Sequence, residues 1–550
     1  MIAVLKRLPI ALMTLMLMAR TVWAGTPLPD PAATTSHITV AAAAANGGCA
    51  VLGTVPATKD AAACQPPDRQ PAAQDDYINP QPYSDFNLPQ IGEAGANVIT
   101  PQQEYQVGVQ VMNELHDAGA ILDDPLIHEY IDNLGHELSS HSDNPTLHFE
   151  YFVLNDPEIN AVTLPGGFIG VNSGLILQTD NEDELAGVMA HETGHVTQRH
   201  LARSLEDQKD RSLLNIATML GAILVAANAG DPNTAMGTIA AAQASIIQHQ
   251  INFTRADEAE ADRVGIQTMA RAGFPPQGMI NFFEKMQRSS ALNGYDRIPE
   301  FLMTHPLDLT RMAEAENRAQ SLHVPPRPDS RNYALMKARL QVLESDDMGK
   351  TLQLFTTGIA SAHGWNQEAM RYGLALAYTR LDRDKDAIAI MRQLQDKYDD
   401  VIAFHIGLAD ALMAGGRTAA AETTYQQAMQ LFPDNEPLVL SYARDLIEAN
   451  QPQRAITLLL SQSLRINRDP ESLRLVAKAY EKAGDTSDSH YYMSEYYLVN
   501  GLPAAAADQL RIALATPGVS SMQTQRYRAR LERLEAEARA NHQRLVTPGT

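Results

Sequence analysis

The segment Met189-Ala-His-Glu-Thr-Gly-His-Val-Thr-Gln-Arg-His200 concentrates more reactive side chains than any other stretch of the chain. On a helix, His191 and His195 lie one turn apart on the same face, so their imidazoles can converge on one ion. Glu192 is about 100° round from His191. It is too close in sequence to join that ligand set easily, but it can reach a water held beside the ion. Two imidazoles and an adjacent carboxylate in this order suit metal-assisted hydrolysis: zinc lowers the pKa of water and Glu192 takes its proton. The alternative is a surface histidine pair. Against it, Leu185, Val188 and Met189 put apolar residues around the same helix. Gly194, which costs about 1 kcal/mol in a helix relative to Ala, points to a close neighbour.

Zinc needs a third protein ligand and an open fourth position. A metzincin would have Gly at 198 and His at 201; Gln198 and Leu201 exclude that class. His200 falls one position short. Beside Arg199 and Arg203 near the predicted helix C-terminus, it reads as structural. The better source is Thr254-Arg-Ala-Asp-Glu-Ala-Glu-Ala-Asp262. Glu258 and Asp262, four apart on a helix, face one way. Glu258 can ligate zinc while Asp262 orients a histidine ligand or a substrate group; the alternative is a solvated acidic face. Glu260 points elsewhere, toward solvent. His305 follows Phe301-Leu-Met303 and precedes Pro306. It can gate the metal, donate to a developing oxyanion, or simply cap a loop. Arg311 can pair with a carboxylate near the site.

These residues need a scaffold. Helical spacing begins near Pro101, with Val107, Val111 and Leu115, then Leu122, Ile127, Tyr130, Ile131 and Leu134. Leu147–Leu154 alternates as a half-buried strand, with His148, Glu150 and Phe152 on the outer side. A second run, Ile159–Leu164, turns at Pro165-Gly-Gly167 and returns as Phe168–Val171, which predicts a β-meander. The turn is either a structural hairpin or an edge to which an extended peptide substrate adds. The histidine-bearing helix is predicted over 180–205, with Thr179 and Glu182 at capping-box spacing. Leu213–Ala227 is apolar but too short for a membrane span, and reads as a buried or hairpin helix returning through Ala235–Ile251. Peripheral membrane contact is compatible with it. From about residue 365 the pattern becomes repetitive. Leu374-Ala375, Tyr378 and Ala387 recur 34 residues later as Leu408-Ala409, Leu412 and Ala421, and again as Tyr442-Ala443, Leu446 and Ala455. Val476-Ala477 and Tyr480 begin a fourth unit, and a half-repeat slip in phase follows at Tyr497 and Ala506. A 34-residue period with small residues at interhelix contacts is the tetratricopeptide signature: stacked helix pairs with a concave groove.

The chain of 550 residues is too long for one ordinary core. Its formal charge of −22 argues against a nucleic-acid binder. Lys6 and Arg7, the apolar run Leu8–Met18 and Val22-Trp-Ala24 form a secretory signal peptide, residues 1–24, predicting export. Residues 25–85, rich in Ala and Pro, read as a low-complexity, disordered leader. It holds the only two cysteines, Cys49 and Cys64, which a disulfide can join in an oxidising compartment.

Met189-Ala-His-Glu-x-x-His-Val together with Thr254-Arg-x-x-Glu-x-x-Ala-Asp262 resembles the M48 peptidases. With a signal peptide and tetratricopeptide repeats, the chain is similar to the periplasmic members of that family that serve β-barrel assembly in Gram-negative bacteria. The resemblance extends from about Asp85 to the end and includes Thr197–Arg203 and Thr304-His-Pro306. It implies an α+β, mainly helical protein: a zincin-like peptidase domain over 86–325 with a small β-meander, then an all-α tetratricopeptide superhelix over 330–540. It implies one zinc bound by His191, His195 and Glu258, with Glu192 as catalytic base and Asp262 as a proton donor. The substrates it implies are unfolded or misassembled outer-membrane proteins, with the β-barrel assembly machinery as partner of the repeats. The competing expectation is a repeat-based scaffold or chaperone adaptor in which proteolysis is rare; an intact His191, Glu192, His195 and Glu258 set favours the enzyme.

Overall fold

The structure, a computed structural model, describes residues 100–206, 254–293, 299–462 and 468–540. The predicted signal peptide, leader, Cys49, Cys64 and apolar pair Leu213–Ala227 with Ala235–Ile251 lie outside the described residues.

Two helices open the described chain. Helix α1 (Pro101–Asp117) starts at a capping box between Thr100 and Gln103, and α2 (Pro125–Ser139) at an Asp124 side chain that accepts from Ile127 N–H. Proline at the first position of each suits a helix start, where no N–H bond is lost. Leu122 is not helical: its N–H donates to Val153 O at 2.9 Å. Strands β1 (Glu150–Leu154), β2 (Ala161–Leu164) and β3 (Phe168–Asn172) form a sheet in the order β1-β3-β2. The β2–β3 hairpin forms as expected. The meander does not, because β1 pairs with β3, in parallel, rather than with β2. The turn depends on glycine. Gly166 and Gly167 have φ of 82° and 89°, and a Cβ on Gly167 would lie 1.8 Å from His148 O. Strand β1 is also more deeply buried than its alternation suggests. Tyr151 and Val153 join the main core, while Phe152 and Leu154 join a second core with Val107, Val111 and Leu115 of α1. With α1 on one face and α2 on the other, the sheet is covered on both sides.

After the short α3 (Ser173–Gln178) comes α4 (Glu182–Thr197), the histidine helix. Asn181 caps it, accepting from Glu184 N–H at 3.0 Å. The predicted Thr179 cap is corrected: Thr179 ends α3 and gives its hydroxyl to Ile176 O. The single helix expected over 180–205 is two, α4 and α5 (His200–Glu206). The break is Arg199, whose φ of 53° no α-helix accommodates. Helices α6 (Arg255–Arg271), α7 (Gln277–Asn293), α8 (Glu300–Thr304) and α9 (Leu309–Ser321) complete this half.

The rest is a stack of helices. The pair α10 (Arg331–Leu343) and α11 (Met348–Ser361) precedes the first repeat residues. Then come α12 (Gly364–Arg380) with α13 (Asp384–Lys397), and α14 (Ile402–Ala414) with α15 (Thr418–Leu431). They are followed by α16 (Glu436–Glu448) with α17 (Pro452–Leu460), α18 (Pro470–Lys482) with α19 (Thr486–Val499), and α20 (Pro503–Ala515) with α21 (Ser521–Ala540). Ala375, Ala409, Ala421, Ala443 and Ala455 are fully buried, as small interhelix residues must be. Starts at Glu436, Pro470 and Pro503 keep the period, so the slip read near Tyr497 is not a break in the stack. The stack is fastened to the first half at several points. Arg339 grips Asp124, Tyr333 donates to Thr179 O at 2.5 Å, and Tyr496 donates to Asn113 at 2.8 Å. Among the described residues no helix is long and apolar enough to cross a membrane.

Candidate metal centre

Helix α4 brings His191, Glu192 and His195 to one buried face, and α6 crosses it closely. The crossing depends on Gly194, where a Cβ would meet Ala261 O at 3.0 Å and Ala261 Cα at 3.1 Å. The close neighbour expected for Gly194 is therefore the helix that carries Glu258 and Asp262. Thr254 sets the start of α6 through a capping box with Asp257. The loop between α8 and α9 contributes His305, and the first turn of α9, capped by Asp308, contributes Arg311. All of these functional side chains are at most 4% exposed.

Their distances describe a single cluster. His191 Nε2 and His195 Nε2 are 3.0 Å apart. Glu258 lies 3.5 Å from His191 Nε2 and 3.6 Å from His195 Nε2. His305 Nδ1 is 3.0 Å from Glu258 Oε1 and 3.4 Å from His191 Nε2. One ligand atom from each of His191, His195, Glu258 and His305 falls within 4.8 Å of the others. The edge of a tetrahedron around zinc, with bonds of ~2.0–2.1 Å, is about 3.4 Å. The donor set therefore fits such an ion in spacing and in chemistry. Charge is compatible with this: Glu192, Glu258 and Asp262 are three buried carboxylates against the one buried guanidinium of Arg311, so the cluster accommodates further positive charge, from a metal ion or from protonated His191 in its absence.

A second layer orients these groups. Asp262 Oδ1 is 2.9 Å from His191 Nδ1, and Arg311 holds Asp262 through Nε at 2.7 Å and an amino nitrogen at 2.9 Å. Arg311 also lies 2.8 Å from Glu258. Burial alone would raise the Asp262 carboxyl, but His191 and Arg311 hold it below its usual range. Burial likewise opposes ionisation of Glu258, yet His305 and His191 keep it strongly depressed. Burial lowers His191, but Asp262 and Glu258 bring it up to about 10. Burial, with His191 beside it, drives His195 well down.

Two expectations change. His200 is not at a helix C-terminus. The turn at Arg199 folds it back so that its Nδ1 meets His195 Nδ1 at 2.8 Å and its Nε2 meets Glu260 at 3.2 Å. Glu260 is half-buried and also takes Arg203 at 3.1 Å, rather than facing solvent alone. A further residue, which the sequence did not single out, is Thr163 of β2. Its hydroxyl donates to Glu192 Oε2 at 2.8 Å. A threonine in an apolar strand gave no signal of that contact, which links residues far apart in sequence.

Comparison with known proteins agrees with this arrangement. Residues 125–319 match the model of peptidase family M48, and residues 368–400 and 412–479 match tetratricopeptide repeat models. The chain is 32% identical over 451 residues to the beta-barrel assembly-enhancing protease of Yersinia pestis, covering 81% of this chain and 91% of that one. It is 31% identical over 447 residues to the protein of that name in Escherichia coli K12, with 81% and 91% covered. A mitochondrial metalloendopeptidase, OMA1 of Bos taurus, is 30% identical over 158 residues, 28% of this chain and 29% of that one. With the metal-ligating cluster and the repeat stack, these likenesses make the chain a metalloendopeptidase of family M48 that carries tetratricopeptide repeats.

Proposed function

We propose that this protein is a periplasmic zinc endopeptidase that acts in the assembly and quality control of outer-membrane β-barrel proteins. The observation that carries the hydrolytic reading is the convergence of four ligand atoms beside Glu192, whose Oε1 is buried and has no hydrogen-bond partner among the described residues. His191, His195 and Glu258 hold the metal. A zinc ion there supplies Lewis acidity, which makes water nucleophilic near neutral pH. Glu192 Oε1 takes the proton of the attacking water and returns it to the leaving amine. Asp262 orients His191. Its carboxyl is held below its usual range by His191 and Arg311, so we assign it positioning rather than the proton-donor role.

The open edge of β2 receives the substrate as an added strand, recognised mainly through its backbone; this suits unfolded clients. The periplasmic location is supported by the signal-peptide pattern of residues 1–24, and the barrel-assembly role by the names of the relatives. The repeats recruit clients or the assembly machinery through surfaces not already engaged with α1, α2 and α3.

The test is Glu192→Gln. Expected are wild-type folding and about one zinc per chain, with cleavage of an unfolded barrel protein lowered by at least ~10²–10⁴-fold. Wild-type cleavage by this variant would remove the mechanism, and a wild-type protein without stoichiometric metal would remove the site.

A further inference from the structure

Glu192 has two carboxylate oxygens, and they are treated differently. Oε2 accepts the Thr163 hydroxyl at 2.8 Å, with Glu192 O a weaker second acceptor at 3.3 Å. Oε1 is buried, has no hydrogen-bond partner among the described residues, and lies 3.5 Å from His305 Nε2. A hydroxyl-to-carboxylate bond is charge-assisted and stronger than a neutral one. It stops the carboxylate from rotating and presents one defined oxygen to the reaction. Thr163 is itself 7% exposed, so water competes little for its hydroxyl.

The main chain of Thr163 has a second role. Asn172 N–H donates to Asn160 O at 3.1 Å, which marks Asn160 and Asn172 as a hydrogen-bonded pair. The register Ala161↔Val171 and Thr163↔Ile169 then places both of these as non-hydrogen-bonded pairs. The N–H and C=O of Thr163 consequently point away from β3, toward the unpaired side of β2. On that side Ala161 N–H is already taken by Asn160 Oδ1 at 2.9 Å. Among the described residues no strand lies there.

We propose that Thr163 is a positioning residue that couples the two halves of the reaction: its hydroxyl fixes the rotamer of Glu192, and its main chain fixes the register of the bound peptide. The inference rests on the reading of Glu192 as general base. A strand seated on β2 is thereby aligned with the oxygen that activates water, because one residue sets both.

The experiment compares Thr163→Val, Thr163→Ala and Thr163→Ser in the full-length protein, with Glu192→Gln alongside. Bound zinc, unfolding midpoint, kcat and KM on an unfolded protein are read for each. Val keeps the shape of Thr without its hydroxyl. It should lower kcat roughly tenfold, part of the ~10²–10⁴ a general base contributes, with KM and zinc unchanged. Ala should lose as much, which guards against a packing defect peculiar to Val, and Ser should restore most of the rate. In a double-mutant cycle with Glu192→Ala, read by unfolding midpoint, the effect of Thr163→Val should shrink once the carboxylate is gone. Wild-type kcat in Val and Ala with an inactive Glu192→Gln would overturn the coupling and leave the base in place. So would a rise in KM alone, a Ser variant as slow as Val, or additive shifts in the cycle. A fully active Glu192→Gln would overturn the base, and this inference with it.

Discussion

His305 brings a fourth donor to the cluster, where a hydrolytic zinc would need one exchangeable position. Together with His191, His195 and Glu258 it makes four donors, and four protein donors are the pattern of a closed site, whereas catalysis requires one position for water. Its main-chain N–H ends α8 by donating to Phe301 O at 2.8 Å, while its ring faces Glu258 and His191. His305→Ala should keep zinc through the other three ligands and raise kcat several-fold, measured with metal content on the same sample. A fall of about 10²–10³ would instead assign His305 to oxyanion stabilisation. At this scale the convergence of His191, His195 and Glu258 was legible, because i, i+4 spacing on a helix fixes direction regardless of the rest of the fold. His200 was not legible. Its role follows from the left-handed turn at Arg199, a side chain tied to Glu104 of α1, and no local pattern announces either. Thr163 was hidden for the same reason: its partner lies 29 positions away.

The elements hold the site by close approach. Gly194 allows α4 and α6 to cross with their backbones close together, and the cluster sits on either side of that contact: the candidate ligand His195 beside Gly194, the candidate ligand Glu258 one turn before Ala261, and Asp262, which meets His191, directly after it. Gly194→Ala would gain about 1 kcal/mol of helix propensity while pressing a methyl group to 3.0 Å from Ala261 O. The helices must part by a few tenths of an ångström. Expected is a thermal midpoint close to wild type with zinc affinity lowered roughly tenfold, as for other disturbances of ligand orientation, read by competition with a chromophoric chelator. Unchanged affinity would show that the crossing does not set the ligand spacing. The helices themselves were visible from periodicity, and the repeats from their 34-residue recurrence. Sheet order was not. Alternation says which residues form a strand and nothing about its neighbour, so a parallel β1–β3 pair passed for a meander. Helix ends were equally local: Thr179 and Asn181 both suit a cap, and packing chose Asn181.

Across the whole molecule, a polar contact at the join of the two halves lies near a tyrosine shared by two carboxylates within the repeats. Arg339 of α10 binds Asp124, the cap of α2, at 2.8 and 3.0 Å, and donates to Tyr372 at 3.1 Å. Beyond it Tyr425 contacts both Asp410, at 3.0 Å, and Asp445, at 2.8 Å. The tyrosine has one proton for two carboxyl groups, and Arg339 is already shared with Asp124. Burial and then mutual repulsion push Asp445 up to about 8, and burial above all raises Asp410. The sign of the consequence follows. The folded protein keeps a proton near pH 7 that an unfolded carboxyl, with a pKa of about 3.9, has lost. This contribution to stability is complete below about pH 4 and is lost as pH rises toward 8, at up to about 1.4 kcal/mol per pH unit. Asp445→Asn removes the titration while its amide oxygen still accepts from Tyr425. Relative to wild type, the variant's unfolding midpoint should therefore climb between pH 5 and 8, by the equivalent of at most ~4 kcal/mol, and level off above. Thermal scans at pH 5, 6, 7, 8 and 9 test this. A midpoint difference that stays flat with pH, or shrinks toward pH 8, would mean that the shared proton is not held between Asp410 and Asp445.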